Sequence, residues 1–277
     1  MILPDVILHS RANARWDYSG MDSIEDCMDK AYFKNYPHKV EYVYNSRGFR
    51  DAEWPESIEE LKNAIWCIGD SFTMGLGSPL EHTWPYLLQQ QTGRRCINVS
   101  MDGASNDWIA RKTQAIIKEI NPTDIVIMWS YTHRRENKNL LLSDESRRIW
   151  AVPDGDIVNF TSCLDSIKHP GIKHCVIPEG EYYISDLFNN LTDTYNNVKG
   201  PLWPQINNYD DFLNLPNKVV HELKTVFKLY DFLLNSFREI EENKWFYNML
   251  YVKQLDYARD YHHFDKLTSQ WLVEQIS

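Results

Sequence analysis

Ile65-Trp66-Cys67-Ile68-Gly69-Asp70-Ser71-Phe72-Thr73 is the stretch on which the fold turns. A short apolar run ends abruptly in Gly-Asp-Ser, and Met74-Gly75-Leu76-Gly77 follows at once. Such a run reads as a buried strand, with Gly69 allowing the sharp turn that closes it. Ser71 then stands at the carboxyl end of a strand, where open α/β sheets place their ligands. A serine there becomes a nucleophile when a base reaches its hydroxyl.

Outward from this strand the pattern alternates. Ala64–Ile68 is the first expected strand, and Thr83–Thr92 reads as a helix with Trp84, Leu87 and Leu88 at helical spacing, closed by Gly93. Cys96–Ser100 is a second strand and Asp107–Ile120 a helix, broken by Asn121-Pro122. Asp124–Trp129, almost purely apolar, suits the middle of a parallel sheet. Strands and helices in alternation mean βαβ units, and right-handed crossovers then give a doubly wound, three-layer sheet.

The flanks are less regular. Residues 1–62 read as an N-terminal extension packed on the core, with a strand and turn over Tyr42–Arg50, and 63–277 as the main domain. A large insertion after the third strand is expected at about 136–245. Within it lie a strand at Lys173–Ile177, a loop or lid from Asn189 to Asn217, and an amphipathic helix from Val219 to Phe237. The chain closes with a strand near Phe246–Tyr251 and a helix from about Leu267 to Ile276.

Composition narrows the function. A formal net charge of −10 argues against binding a phosphate backbone, so no nucleic-acid partner is expected. No apolar run is long enough to span a bilayer, and Met1–Asp5 lacks the basic region and apolar stretch of a secretory signal. The expectation is a cytoplasmic protein with no membrane partner. The five cysteines are scattered, without Cys-x-x-Cys spacing, and fit reduced thiols.

Three later segments bear on Ser71. Asn98–Asn106 joins the second strand to a helix, and its Gly103 lets a backbone N–H approach a ligand; with the Ser71 N–H it makes a candidate oxyanion hole. Met128–Glu136, at the end of the third strand, offers hydroxyl and cationic donors on the same sheet edge, with His133, Arg134 and Arg135 candidates for an anionic substrate and Trp129 for stacking on a sugar. Ala258–Asp265 contains Asp260-x-x-His263, a spacing that sets a carboxylate behind an imidazole within one tight turn. His262 is its neighbour, but adjacent side chains point different ways and the spacing favours His263. Asp260, His262, His263 and Asp265 also have the residue types of a metal site, yet no second ligand set at metal spacing accompanies them, so no metal is expected.

These blocks, in this order, resemble the SGNH/GDSL hydrolase superfamily. Gly69-Asp70-Ser71-Phe72-Thr73 is similar to its nucleophile block, Gly103 to its second-block glycine and Asp260-Tyr261-His262-His263 to its final block; Asn45-x-x-Gly48-Phe49-Arg50 resembles the leader of some subgroups. The resemblance covers roughly 42–136 and 250–277. It implies a flavodoxin-like α/β/α fold, no cofactor, and cleavage of a small-molecule or carbohydrate ester, often an acetyl ester. It also implies that Ser71 attacks, His263 acts as base and then acid, and Asp260 orients it. The third block departs from the family's Gly-x-Asn-Asp: Thr132 stands where the oxyanion-binding Asn is expected, so either Thr132 donates in its place, Asn106 reaches in, or activity is weak. The rival expectations are acyl transfer to a carbohydrate by the same triad and a binding or structural protein that keeps the fold alone.

Overall fold

The computed structural model describes residues 2–132, 134–136, 148–150, 156–178, 191–198, 204–206, 209–242 and 249–277. Five strands form one parallel sheet: β1 (Ile65–Gly69), β2 (Cys96–Ser100), β3 (Asp124–Trp129), β4 (Ile172–Val176) and β5 (Leu250–Tyr251). Their spatial order is β2-β1-β3-β4-β5, the flavodoxin-like order, so the chain reverses its direction of winding between β1 and β3. The register aligns Ile65 with both Cys96 and Asp124, which brings the carboxyl ends of β1, β2 and β3 to one edge.

Helices cover both faces. α1 (Ser71–Met74) follows β1 directly, α2 (Trp84–Thr92) joins β1 to β2, α3 (Asn106–Glu119) joins β2 to β3, α4 (Asp156–Asp165) precedes β4, and α5 (Lys266–Ile276) ends the chain. Ile65, Cys67, Val126 and Met128 point to one face, where Leu88 of α2 and Leu272, Val273 and Ile276 of α5 complete the core. The alternate residues Trp66, Ile68, Ile125 and Ile127 point to the opposite face, where α3 and α4 pack together. The result is a three-layer α/β/α architecture. Local chemistry sets the helix ends: Pro85 lies in the first turn of α2, Gly93 closes it at φ 67°, and Ser105 caps α3 by accepting the Trp108 N–H at 3.1 Å.

Residues 1–180 and 250–277 form one compact unit, and Glu181–Met249 a second. In the first, Arg15–Trp16 pairs antiparallel with Tyr42–Val43, and Ile58–Asn63 is a short helix leading into β1. β4 falls inside the range read from sequence as an insertion, yet it is a strand of the central sheet, paired with β3 on one side and β5 on the other. The second unit has its own core of Leu191, Tyr195, Ile206, Phe212, Leu215, Val219, Leu223, Leu233 and Phe237.

Two expectations change in this unit. The segment read as a loop or lid contains a helix over 191–198 and another at Tyr209–Leu213, the remainder lying largely outside the described residues. The single helix expected over 219–237 is two. Asn217–Glu222 runs into a wide turn at Leu223–Phe227, Lys228 takes φ 51°, and a new helix spans Tyr230–Glu242. The break resets the helical phase, so Val219 and Leu223 share the core with Leu233 and Phe237 while Val226 and Phe227 face outward. Most of the strand expected near Phe246 also lies outside the described residues, and β5 is two residues long.

Candidate active site

The site grows from the junction of β1 and α1. Glycine at position 69 is required by crowding and not by backbone angle. A Cβ there would sit 2.1 Å from Thr73 Oγ1 and 2.9 Å from the Met128 carbonyl oxygen. Asp70 caps α1, accepting the Phe72 N–H at 3.0 Å. Ser71 begins the helix, where N–H groups have no partner in the helix itself, and is 2% exposed.

His263 Nε2 lies 2.8 Å from Ser71 Oγ although 192 positions separate them. Its Nδ1 lies 2.6 Å from Asp260 Oδ2. The second carboxylate oxygen, Oδ1, accepts the N–H of His262 at 3.1 Å and of His263 at 3.0 Å, which folds the Asp-x-x-His segment into one turn with Tyr261 at φ 58°. Phe72 packs against the His263 ring at 4.4 Å between centroids. His262 points elsewhere, its Nε2 3.3 Å from Tyr131 Oη. Asp265 turns to His82 and Ser78, so the four residues with metal-site chemistry do not converge.

The electrostatics oppose one another. Burial pushes the His263 pKa down, but the charge and hydrogen bond of Asp260, with smaller contributions from Asp70 and Asp102, outweigh it and the net shift is upward from 6.5. Burial pushes Asp260 up; the His263 charge, their shared hydrogen bond and the two backbone N–H groups bring it to a net position below 3.8. This pair therefore favours an imidazole that accepts a proton readily and a carboxylate that stays ionised.

The sheet edge also carries the candidate oxyanion residues. Gly103 is buried at φ 71° in the loop after β2. Among the turns and loops of the described residues, neither its N–H nor that of Ser71 meets a carbonyl acceptor. Thr132, just past β3, is fully buried, and its Oγ1 has no hydrogen-bond partner among the described residues.

Three other expected residues are engaged elsewhere. The Asn106 side chain bridges backbone groups, accepting the Ser130 N–H at 3.0 Å and donating to the Tyr131 carbonyl at 2.8 Å; it fastens α3 to the end of β3. Arg134 forms a buried ion pair with Asp70 Oδ2 at 3.0 Å and donates to Ser130 Oγ at 3.0 Å, so its charge answers the Asp70 carboxylate and not an incoming anion. Trp129 is a core residue, edge-on to Phe160 and donating from its indole to His174 Nδ1 at 3.0 Å, which does not present a face for a sugar. His133 lies outside the described residues. Ser130 and Gly77 carry parts of the site that the sequence reading did not single out. Ser130 Oγ donates to Asp70 Oδ2 at 2.6 Å, and Gly77 lets the Asp260 loop approach, since a Cβ there would lie 2.9 Å from Ala258 Cβ and 3.2 Å from the Asp260 nitrogen. The paired glycines at 75 and 77 were the available signal.

A serine, a histidine and an aspartate in this relay sit at the winding reversal of a parallel sheet. The chain is similar to solved GDSL-type lipases. A search of solved structures returns 26 matching chains. They include TesA, at 15% identity and TM-score 0.40 over 77% of this chain and 96% of that one. A GDSL-like lipase from Bacteroides thetaiotaomicron matches at 12% identity and TM-score 0.34, over 81% and 93%. The lipase/acylhydrolase from Enterococcus faecalis matches at 12% and 0.34, over 77% and 93%. No protein-family model matches the sequence, and no curated protein does.

Proposed function

We propose that the protein is a serine ester hydrolase of the SGNH/GDSL type, acting on a small acyl ester, an acetyl ester first of all. The observation that carries the reading is the continuous hydrogen-bond relay from Ser71 Oγ through His263 to Asp260. Its order matches what nucleophilic acyl transfer needs: a hydroxyl, a base within reach and a carboxylate that orients the base.

In this mechanism Ser71 Oγ attacks the ester carbonyl while His263 Nε2 takes its proton. Asp260 keeps the Nδ1–H tautomer and stabilises the imidazolium that forms. The tetrahedral oxyanion receives the N–H groups of Ser71 and Gly103 and the hydroxyl of Thr132. Collapse expels the alcohol with the proton returned from His263, leaving an acyl-serine. Water, activated by the same imidazole, then attacks the acyl carbon, and the acid leaves as Ser71 recovers its proton. We assign the hydrolase fold to residues 63–277 with the Glu181–Met249 unit inserted in it, and 1–62 to an extension packed on it.

Hydrolysis of p-nitrophenyl acetate tests the reading. Wild type is expected to turn over, and Ser71→Ala to fall to the uncatalysed background. Equal rates for the two proteins would reject it.

A further inference from the structure

The loop that bears Asp260 and His263 is neither helix nor strand, yet its imidazole must hold a 2.8 Å contact with a serine on the far side of the sequence. Bonds within the loop fold it into a turn, and a second set from outside fixes where that turn sits. Arg259, the residue before Asp260, donates from Nε and Nη2 to the two oxygens of Asp22 at 2.8 and 2.7 Å. Tyr42 Oη donates to Asp22 Oδ2 at 2.5 Å and accepts the Gly77 N–H at 2.8 Å. The Arg259 N–H in turn donates to the Gly77 carbonyl at 2.9 Å. The four residues close a ring: Asp22 and Tyr42 from the N-terminal extension, Gly77 from the turn after the Ser71 helix, and Arg259 from the base of the His263 loop.

The ring is built to hold its charge. Asp22 and Tyr42 have no exposed surface. The Arg259 guanidinium is flanked by the rings of Phe33 at 4.8 Å and Tyr18 at 5.2 Å, both from the extension. Burial alone would pull the Arg259 pKa down, but Asp22 more than reverses it, so the cation persists. Burial, with the Asp22 charge next, raises the Tyr42 pKa well above its ordinary value, so the phenol keeps the proton it donates. Further bonds tie the extension to the same loop, among them Arg259 Nη2 to the Asp17 carbonyl at 2.8 Å, Met28 N–H to the Asp260 carbonyl at 3.3 Å and Tyr32 Oη to the Tyr257 carbonyl at 2.8 Å.

We propose that the N-terminal extension is part of the machinery that positions the catalytic base, with Asp22 and Tyr42 as positioning residues that lock the Arg259–His263 loop onto the turn following the nucleophile. The proposal rests on the esterase reading above. Neither residue touches the reacting atoms; both act through Arg259 and Gly77 on the placement of His263 relative to Ser71. Misplacement by about 1 Å can cost on the order of 100-fold in rate, so small displacements of this loop register in kcat.

The experiment compares wild type, Ser71→Ala, Tyr42→Phe and Asp22→Asn on p-nitrophenyl acetate across pH, with the melting temperature of each. Tyr42→Phe removes one oxygen and leaves the Arg259–Asp22 pair in place; Asp22→Asn keeps the shape and removes the charge. The expected result is a fall in kcat of about 10-fold or more in Tyr42→Phe with KM within about 2-fold, because positioning acts in the transition state. The acid limb of its kcat/KM profile stays where it is in wild type, because Asp260 and His263 are joined within one turn and move together. Asp22→Asn follows the same direction further; if it does not fold, Tyr42→Phe decides alone. Unchanged kcat in a folded Tyr42→Phe overturns the proposal, as does a rise in KM with kcat intact or a loss of activity no larger than the unfolded fraction given by the melting curve. Turnover retained by Ser71→Ala rejects the esterase reading itself, which separates the two failures.

Discussion

His263 stands under two opposed forces at the scale of single residues. Burial disfavours its cation, and the Asp260 carboxylate 2.6 Å away favours it more, so the net pKa lies above 6.5. A general base works only when neutral. Activity should therefore be lost as pH falls through a value above that of a free histidine. Asp260→Asn should move this acid limb of kcat/KM downward and lower kcat by on the order of 10,000-fold, as loss of the orienting carboxylate does in serine hydrolases. A pH–rate series on both proteins checks the shift. In stability the signs differ. The raised His263 contributes stability below its unfolded pKa and loses it as pH rises through the folded one; the lowered Asp260 contributes above about 3.8 and loses it as pH falls through its folded value. Thr132 offers a separate test. Its buried hydroxyl has no partner among the described residues, so Thr132→Val should leave stability unchanged or raise it. If that hydroxyl serves the oxyanion, kcat should still fall by roughly 100- to 1000-fold. Steady-state kinetics paired with a melting curve reads both; unaltered kcat would remove Thr132 from the oxyanion site.

Among the elements, β1 was the most legible because burial on both faces leaves an uninterrupted apolar run. β2 and β3 have the bounds expected from sequence, β3 as an apolar run after Asp124 and β2 although Asn98 and Ser100 interrupt its apolar residues. β5 carries only two residues, too few for any periodicity, and takes its place from pairing Leu250 with Cys175 and Tyr251 with Val176. Periodicity also misled at Lys228, where a left-handed residue splits one expected helix into two without spoiling the apolar pattern. The Asp-x-x-His turn was legible as a local motif. What braces it was not: Asp22 meets Arg259 across 237 positions, and no local pattern encodes a polar contact of that reach. Arg134 and Asn106 stand at the right edge, but they meet Asp70 and the end of β3, contacts between segments far apart in sequence that no local pattern marks. At this scale Gly69→Ala is the informative change. Its Cβ would meet Thr73 Oγ1 and the Met128 carbonyl, forcing α1 away from β3. The expected cost is about 1–3 kcal/mol of stability, with a loss of kcat larger than unfolding explains. Denaturant titration beside kinetics measures both, and an alanine protein of normal activity would show that the β1–α1 approach does not set the nucleophile.

The whole molecule divides its apolar burial between two units, each with a core of its own. Phe237 is fully buried in the smaller core, beside Phe212 at 4.9 Å between ring centroids. Phe237→Ala should cost that unit about 3–5 kcal/mol. Calorimetry should show one of two transitions moving down while the other stays; a single transition shifting as a whole would argue against separate cores. The larger unit unites both ends of the chain around Ser71, and its chemistry can be read on the intact protein. Intact-mass analysis after exposure to a serine-directed phosphonate is the most direct measure of that chemistry. The account predicts one adduct per chain, located on Ser71, absent from Ser71→Ala and formed far more slowly in His263→Ala. An unmodified wild-type protein, or an adduct on any other residue, would contradict it.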